Sequence, residues 1–313
     1  MASNCPEASI IIPARNATET LGQTLDSIIK YDIHRQAEVV VVIDGIDEPT
    51  TALASRYPIR VIIGNGKGPG AARNIGIAHS SGNILIFLDA DCIVSNQWYK
   101  VHMDAHKRYP GLLAVGGSIS RTPDVSLWAK CDHYCSWYNV NPGCKKRWVP
   151  NHTPANLSIA RDTFERVGPF QENLSSKGVH EEAQWQGNLV KHRGRILFEP
   201  KCTVRHIDRG SFKGYIKHNY WWAYNSITVK SRTGISRFPI IFKLQWLPVA
   251  LFIPFSFAHT FYTIWRWFRA GDITPLVLSP LIYIGRLSYA LGMVNGKLDY
   301  SVSKYKSRMD HDE

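Results

Sequence analysis

Ile84-Leu85-Ile86-Phe87-Leu88-Asp89-Ala90-Asp91 is an apolar run that ends abruptly in two carboxylates one residue apart. Five large apolar residues in succession predict a strand buried on both faces, and such strands deliver ligand-binding groups at their carboxyl ends. The acids are therefore expected at the rim of a cleft. Two carboxylates this close raise each other's pKa unless a cation neutralises them, and hard divalent ions such as Mg2+ or Mn2+ prefer oxygen ligands. An Asp-X-Asp at a strand end thus reads as a metal and phosphate site, set against the plainer reading of acids as turn residues.

Working outward, the first hundred residues alternate between strand-like and helix-like segments, which predicts a mostly parallel sheet wrapped by helices. Strands are expected at Ser9 to Ile12, Glu38 to Ile43, Ile59 to Ile63 and Ile84 to Leu88. Asn16 and Glu19 form a capping-box pattern, and Leu21, Leu25, Ile28 and Ile29 make one apolar stripe of a first helix. The run from Gly68 through Pro69, Gly70, Ala71, Ala72 and Arg73 to Gly76 reads as a tight turn opening a helix, with small residues allowing a ligand close to the backbone. It is neither a Walker loop nor a dinucleotide fingerprint, which argues against P-loop NTPases and dehydrogenases. Further strands are expected at Leu113 to Ile119, Asn156 to Ile159 and Arg195 to Phe198, and Cys202 to Arg205 is strand-like ahead of His206.

Near Phe238 the composition changes. Trp246 to Trp265 holds no Asp, Glu, Lys or Arg, and 20 residues at 1.5 Å each reach across about 30 Å of hydrocarbon. A second apolar segment, Ile273 to Val294, is interrupted by Arg286, which costs roughly 2.5 to 3.5 kcal/mol at a bilayer centre. The basic flanks, Arg237 and Lys243 before and Lys297, Lys304, Lys306 and Arg308 after, favour a hairpin with both ends in the cytoplasm. The competing reading is a hydrophobic helical pair packed on the rest of the chain. Ahead of it, Arg209, Lys213, Lys217 and His218 alternate with Phe212, Tyr215, Tyr220, Trp221 and Trp222, a mixture suited to a membrane interface with anionic head groups. The same mixture could stack on nucleic acid. No recognised RNA module accompanies it, and nucleic acid is not expected as a partner.

The chain of 313 residues is 44% hydrophobic and 20% charged, enough for one large domain and something smaller, and disorder is excluded for most of it. Its net charge of +12 suits nucleic acid, an anionic membrane or phosphorylated substrates without choosing among them. Met1 to Glu7 lacks the basic and apolar regions of a cleaved secretion signal. The six cysteines show no paired spacing, so a reducing compartment is expected. Cys131, His133, Cys135 and Cys144 are conceivable zinc ligands, but Leu127, Cys131, Tyr134, Cys135 and Tyr138 also follow the spacing of a packed helix face.

Six stretches in order, from Ser9 to Asn16, Val39 to Asp44, Gly70 to Gly76, Phe87 to Asp91, Thr153 to Leu157 and His180 to Glu182, resemble the inverting family 2 glycosyltransferases of GT-A fold over about two thirds of the chain. The resemblance implies an α/β GT-A domain over residues 1–230, followed by C-terminal membrane-associated hydrophobic helices over 231–313. It implies that Pro13, Ala14, Arg15, Asn16, Asp44, Arg73, Asp89 and Ala90 surround a nucleotide-sugar donor, UDP- or GDP-linked. Asp91, with His206 as a further candidate, would hold Mn2+ or Mg2+, and a metal so held stabilises a diphosphate leaving group without proton transfer. Glu182, or its neighbour Glu181, falls where the family places the base that deprotonates an acceptor hydroxyl for single displacement with inversion. The plainer reading of that pair is acids set against a helix dipole.

The chain departs from the family after Asp44, where Gly45-Ile46-Asp47-Glu48 replaces the usual acidic or amide pair followed by Gly-Ser, and Asp47 is equally suited to cap a helix beginning near Pro49. The Gln-X-X-Arg-Trp signature of processive synthases is absent after Glu182, so transfer of a single sugar is expected. The implied acceptor is a lipid-linked or other glycan, met at the cytoplasmic face of a membrane such as the bacterial inner membrane. The alternatives are a polyprenyl-phosphate glycosyltransferase, whose ionised acceptor needs no base, and a non-catalytic nucleotide-sugar scaffold on the same fold.

Overall fold

A computed structural model describes residues 6–109, 114–172, 185–189, 195–233 and 250–312, of which 229–233 and 301–312 are described by backbone only. The described residues divide into two compact units, one holding 6–109, 114–122, 140–172, 185–189 and 195–207, the other 123–139, 208–233 and 250–312.

The first unit is a nine-stranded sheet flanked by helices, in the order β3-β2-β1-β4-β8-β6-β9-β5 with β7 beside β9. Strands β1 (Ala8–Ala14), β2 (Glu38–Ile43), β3 (Arg60–Ile63) and β4 (Ile84–Leu88) are parallel neighbours. The crossovers α1 (Leu21–Lys30), α2 (Glu48–Ala54) and α3 (Pro69–Ala78) return the chain to the same end each time. Leu85, Ile86, Phe87 and Leu88 are all buried, as a strand covered on both faces requires.

The other half of the sheet departs from the mostly parallel expectation. β8 (Asn156–Ala160) runs antiparallel to β4 and to β6 (Ala114–Arg121), β9 (Ile196–His206) runs parallel to β6, and β5 (Cys92–Val94) and β7 (Arg147–Val149) run antiparallel to β9. Three residues separate β4 from β5, far too few for a crossover, so the chain turns back and β5 pairs with β9 and not with β4. Two further helices of this unit are α4 (Trp98–Arg108) and α6 (Arg161–Val167). Its core joins Ile11, Phe87, Leu157, Phe164, Phe170 and Trp185.

Two local expectations at the N-terminal half resolve differently. Asn16 does not cap α1, because it adopts φ 50° and the helix begins at Leu21 after Thr20, whose side chain makes no capping bond. An N-cap residue takes extended backbone angles, which Asn16 lacks. The small residues of α3 serve helix–sheet packing: a Cβ on Gly76 would lie 2.5 Å from Ile11 Cγ2.

In the second unit α5 (Leu127–Ser136) packs with α7 (Phe212–Thr233), α8 (Phe252–Arg269) and α10 (Ser279–Asp312), and α9 (Thr274–Val277) packs with α8 and α10. Cys131, Tyr134 and Cys135 are buried on α5, the packed-face alternative, while Leu127 stays exposed. Cys131, His133, Cys135 and Cys144 do not converge as a metal group among the described residues, and His133 Nδ1 instead lies 2.9 Å from Asp208 Oδ2. Arg286 is buried within the protein: Nη2 donates to the Cys135 carbonyl and to Thr263 Oγ1, both at 2.7 Å. Its guanidinium also stands over the rings of Tyr138 and Tyr289. Among the described residues no helix is long and apolar enough to cross a membrane, so the expected span from Trp246 to Trp265 is not found in the part described, which is interrupted by Ser256, His259, Thr260 and Thr263.

Candidate functional site

Because β1, β2 and β4 are parallel neighbours, their carboxyl ends share one edge of the first unit. Pro13, Ala14, Arg15 and Asn16 leave β1 there, Asp44 follows β2, and Asp89 follows β4. Such an edge is where open α/β sheets bind ligands.

Asp44 is buried, and its Oδ2 accepts the Gly68 N–H at 3.0 Å and faces Arg15 Nη1 at 3.5 Å. The donor amide is presented by a backbone at φ 99°, a region open to glycine and strained for other residues. Asn16 is held from the next loop, its N–H donating to Asp47 Oδ2 at 2.6 Å. Asp47 caps α2 as expected, accepting the Thr50 N–H at 3.3 Å. The hydrogen bond of the Thr50 side chain holds the Asp47 carboxyl below its usual range, partial burial opposes it, and the Asn16 N–H adds to the lowering.

Arg73 projects from α3, is 3% exposed, and reaches Asp89 Oδ1 through Nη2 at 2.6 Å, where the Asp89 side chain is 34% exposed. Its place in the site is thus to hold Asp89. Enclosure by protein pushes the Asp89 carboxyl up, the Arg73 guanidinium pulls it back, and the neighbouring Asp91 pushes it up again.

Asp89, Ala90 and Asp91 are the whole connection between β4 and β5, and backbone bonds pin it. The Asp89 carbonyl accepts the Cys92 N–H at 3.1 Å, the Ala90 carbonyl accepts the Thr24 hydroxyl at 3.0 Å, and the Asp91 carbonyl accepts the Ile207 N–H at 2.9 Å. Antiparallel pairing of β5 with β9 sets Cys92 opposite His206. His206 Nε2 lies 3.4 Å from Asp91 Oδ1, and Cys92 Sγ lies 3.9 Å from the same oxygen.

Ligand atoms of Asp91, Cys92 and His206 all fall within 4.8 Å of one another, the single such trio of metal-ligating side chains among the described residues. Carboxylate oxygen and imidazole nitrogen fit a divalent ion: the oxygen suits Mg2+ and Mn2+ alike, while nitrogen, with a thiol alongside, tilts the donor set toward a transition metal over Mg2+.

The structure sets Pro13 to Asn16, Asp44 and Asp89 at one edge of the sheet, with Arg73 on Asp89 and His206 beside Asp91, while Glu181 and Glu182, the expected base, lie outside the described residues. Sequence reasoning missed Cys92, because its approach to His206 depends on a strand pairing across more than a hundred residues. It also missed that Asp47 grips Asn16. The cap was legible locally, but its second partner sits 31 positions away.

A family model described as Glycosyl transferase family 2 matches residues 9–170. The chain is 33% identical over 191 residues to Glycosyltransferase AglE of Haloferax volcanii, a match covering 58% of this chain and 61% of that protein. It is 22% identical over 229 residues to the Glucosyl-dolichyl phosphate glucuronosyltransferase of the same organism, covering 66% and 71%. Among solved structures, Mannosyltransferase PcManGT from Pyrobaculum calidifontis in complex with GDP-Man and Mn2+ aligns with a TM-score of 0.58 at 15% identity, over 96% of this chain and 89% of that one. S. aureus TarS 1-349 in complex with UDP-GlcNAc aligns at 0.53 and 14% identity, over 95% and 92%. At these identities the likeness speaks for the fold, a mixed α/β sheet of GT-A type.

Proposed function

The chain belongs to glycosyl transferase family 2, and from that premise we propose a metal-dependent, inverting enzyme that moves one sugar from a UDP- or GDP-linked donor to a lipid-linked or glycan acceptor at the cytoplasmic face of a membrane. The observation that carries this reading is the junction between β4 and β5. There Arg73 holds Asp89 on one side, and Asp91 meets Cys92 and His206 on the other. When bound by Asp91 and His206, with Cys92 alongside, a divalent ion supplies positive charge for the diphosphate that develops as the sugar leaves.

The chain's own residues do the positioning. Asp44, fixed by the Gly68 N–H and Arg15, and Asn16, fixed by Asp47, present an oriented rim for the nucleoside. Asp89 cannot swing away while Arg73 holds it, so it offers an acceptor to the ribose in one orientation. Glu182 or Glu181 takes the proton from the acceptor hydroxyl in this scheme.

The glucuronosyltransferase relative is named for a glucosyl-dolichyl phosphate. That supports an acceptor that is a sugar hydroxyl on a lipid carrier, for which a base is needed. A bare polyprenyl phosphate would need none.

Thermal unfolding of the detergent-purified protein with UDP, GDP, dTDP or CMP, each with and without Mn2+, tests the donor site. A ligand at 100 times its Kd adds about 2.7 kcal/mol of stability. One diphosphate is expected to stabilise only with Mn2+, and Asp91→Asn to abolish both that effect and turnover while the protein stays folded. Glu182→Gln is expected to stop transfer to a hydroxyl acceptor and leave donor binding intact. Turnover retained in Asp91→Asn would remove the metal from the scheme, and donor binding without any transfer or hydrolysis would favour the scaffold.

A further inference from the structure

A helix on the surface of a water-soluble unit turns its apolar stripe inward and its polar residues outward. In α8 this polarity is reversed. Ser256, Thr260, Thr263 and Trp267 are buried, whereas Ile253 is 54% exposed, Phe257 71%, Phe261 69%, Trp265 41% and Phe268 63%. The exposed residues recur at intervals of three or four and so form one continuous stripe.

The inward hydroxyls are satisfied within the unit. Thr260 donates to the Ser256 carbonyl and Thr263 to the His259 carbonyl, each at 2.8 Å, and Thr263 also accepts from Arg286. The polar face is thus packed by design of the sequence. The outward aromatic face lacks any such account, and α9 extends it with Ile273, Leu276 and Val277, exposed by 66%, 64% and 80%.

Charge identifies what this face meets. α8 contains no acid, and its two charged residues, Arg266 and Arg269, lie in the last turn. Arg269 stands 5.6 Å from the centre of the Trp265 ring. An aromatic stripe edged by tryptophan and arginine matches the boundary between acyl chains and anionic head groups, where indole rings settle and guanidinium groups reach phosphate. A second protein copy would need a complementary surface; a bilayer needs only this ordering of apolar, aromatic and cationic groups. The apolarity runs along the helix flank and no described helix is fit to cross a bilayer, so the contact is sideways.

We propose that α8 and α9 form a monotopic anchor, lying in the plane of an anionic membrane with the Phe257, Phe261 and Phe268 edge sunk about 5–10 Å into the head-group boundary. The anchor gives the lipid-linked acceptor reading its place of encounter and rests on that reading for its purpose, while its test does not depend on catalysis.

The protein is added to preformed vesicles of phosphatidylcholine with one quarter phosphatidylglycerol and floated on a density gradient. Wild type is expected to float, with phosphatidylcholine alone capturing it at least about tenfold less, since anionic lipid supplies part of the affinity. The double variant F261E/F268E alters exposed side chains only. It is expected to lose flotation at least about tenfold, with an unchanged circular dichroism spectrum and unchanged metal-dependent donor stabilisation.

A second arm fixes the topology. In a Cys5→Ser background, Thr274→Cys is expected to react with a membrane-impermeant maleimide on intact vesicles as fully as on lysed ones. Labelling only after lysis would mean that the hairpin crosses the bilayer and would overturn in-plane binding. Failure to float, together with a dimer that F261E/F268E dissociates, would assign the face to a second copy and overturn the anchor. Flotation by a protein that binds no donor would leave the anchor standing and remove the enzymatic reading.

Discussion

Arg73 is buried and Asp89 is one-third open, so their pair sits partly in and partly out of water. Arg73→Met keeps much of the volume and leaves the Asp89 carboxylate beside Asp91 with no cation held against it. Breaking a buried pair costs roughly 3–5 kcal/mol, and the exposure of Asp89 lowers the expected loss to about 2 kcal/mol. Urea unfolding should show that loss, together with weaker stabilisation by the nucleotide diphosphate. An unchanged midpoint and unchanged binding would make the pair incidental. Asp47 acts chiefly by hydrogen bonds: Asp47→Ala removes the cap of α2 and the grip on Asn16, at an expected cost of about 1 kcal/mol and a higher Kd for the donor. Asp47→Asn, whose amide oxygen can still cap, should recover most of the stability, and Kd by isothermal titration separates the two effects. At this scale the sequence was informative where chemistry resides in residue type, as in Asp89 and Asp91. It was silent where chemistry depends on who meets whom, as in Cys92 with His206.

Elements were legible wherever burial alone dictates the pattern. Glu38–Ile43 and Ile84–Leu88 are strands with the expected bounds because each is a continuous apolar run flanked by polar punctuation. β5 and β7, at three residues each, are too short to show any period, and they exist only because β9 is there to pair with. β9 joins the expected Arg195 to Phe198 and the strand-like Cys202 to Arg205 into one strand ending at His206, with a register shift against β6 between Gly117 and Ser118. Asn156 spans the shifted region by donating to the Ser118 and Cys202 carbonyls at 3.0 and 2.9 Å, while its Oδ1 accepts the Trp98 indole N–H at 2.8 Å. Pro200 lies within β9, in the stretch where the register against β6 shifts. The contact between α3 and the sheet yields a prediction at the same scale. Gly76→Ala gains about 1 kcal/mol in helix propensity, but its methyl enters space held by Ile11 and Val42, an overpacking worth roughly 1–3 kcal/mol. Net destabilisation of about 1 kcal/mol is expected from these terms, read as a lower urea midpoint. A raised midpoint would show that β1 can move away from α3.

Across the first unit as a whole, stability should depend on pH through three enclosed histidines. Burial pushes His102 down to about 3 and His106 and His152 down to about 4. His102 Nδ1 and His106 Nε2 both meet Ser158 Oγ at 2.9 Å, and His102 Nε2 meets Asn156 Oδ1 at 3.1 Å, so α4 is tied to β8 through neutral rings. The folded values lie below the unfolded value of about 6.5, so the unfolded chain binds more protons between these limits. Stability is therefore complete above about pH 6.5 and falls as the pH drops from there towards the folded values. Well inside that window each histidine contributes a slope of about 1.4 kcal/mol per pH unit. Carboxylates with lowered values, such as Asp47, add their losses only nearer pH 4, so the histidines dominate the first part of the fall. Urea unfolding at pH 7.5, 6.5 and 5.5, followed by the nucleotide-induced stabilisation that reports on this unit, should show the loss beginning near about pH 6.5. His106→Gln, at the less enclosed of the two α4 rings, should remove one histidine's share of the slope while still offering Ser158 a partner. A slope that is unchanged in His106→Gln would place the acid sensitivity elsewhere in the molecule, and a flat profile between pH 7.5 and 5.5 would mean that the rings take up protons without leaving the fold.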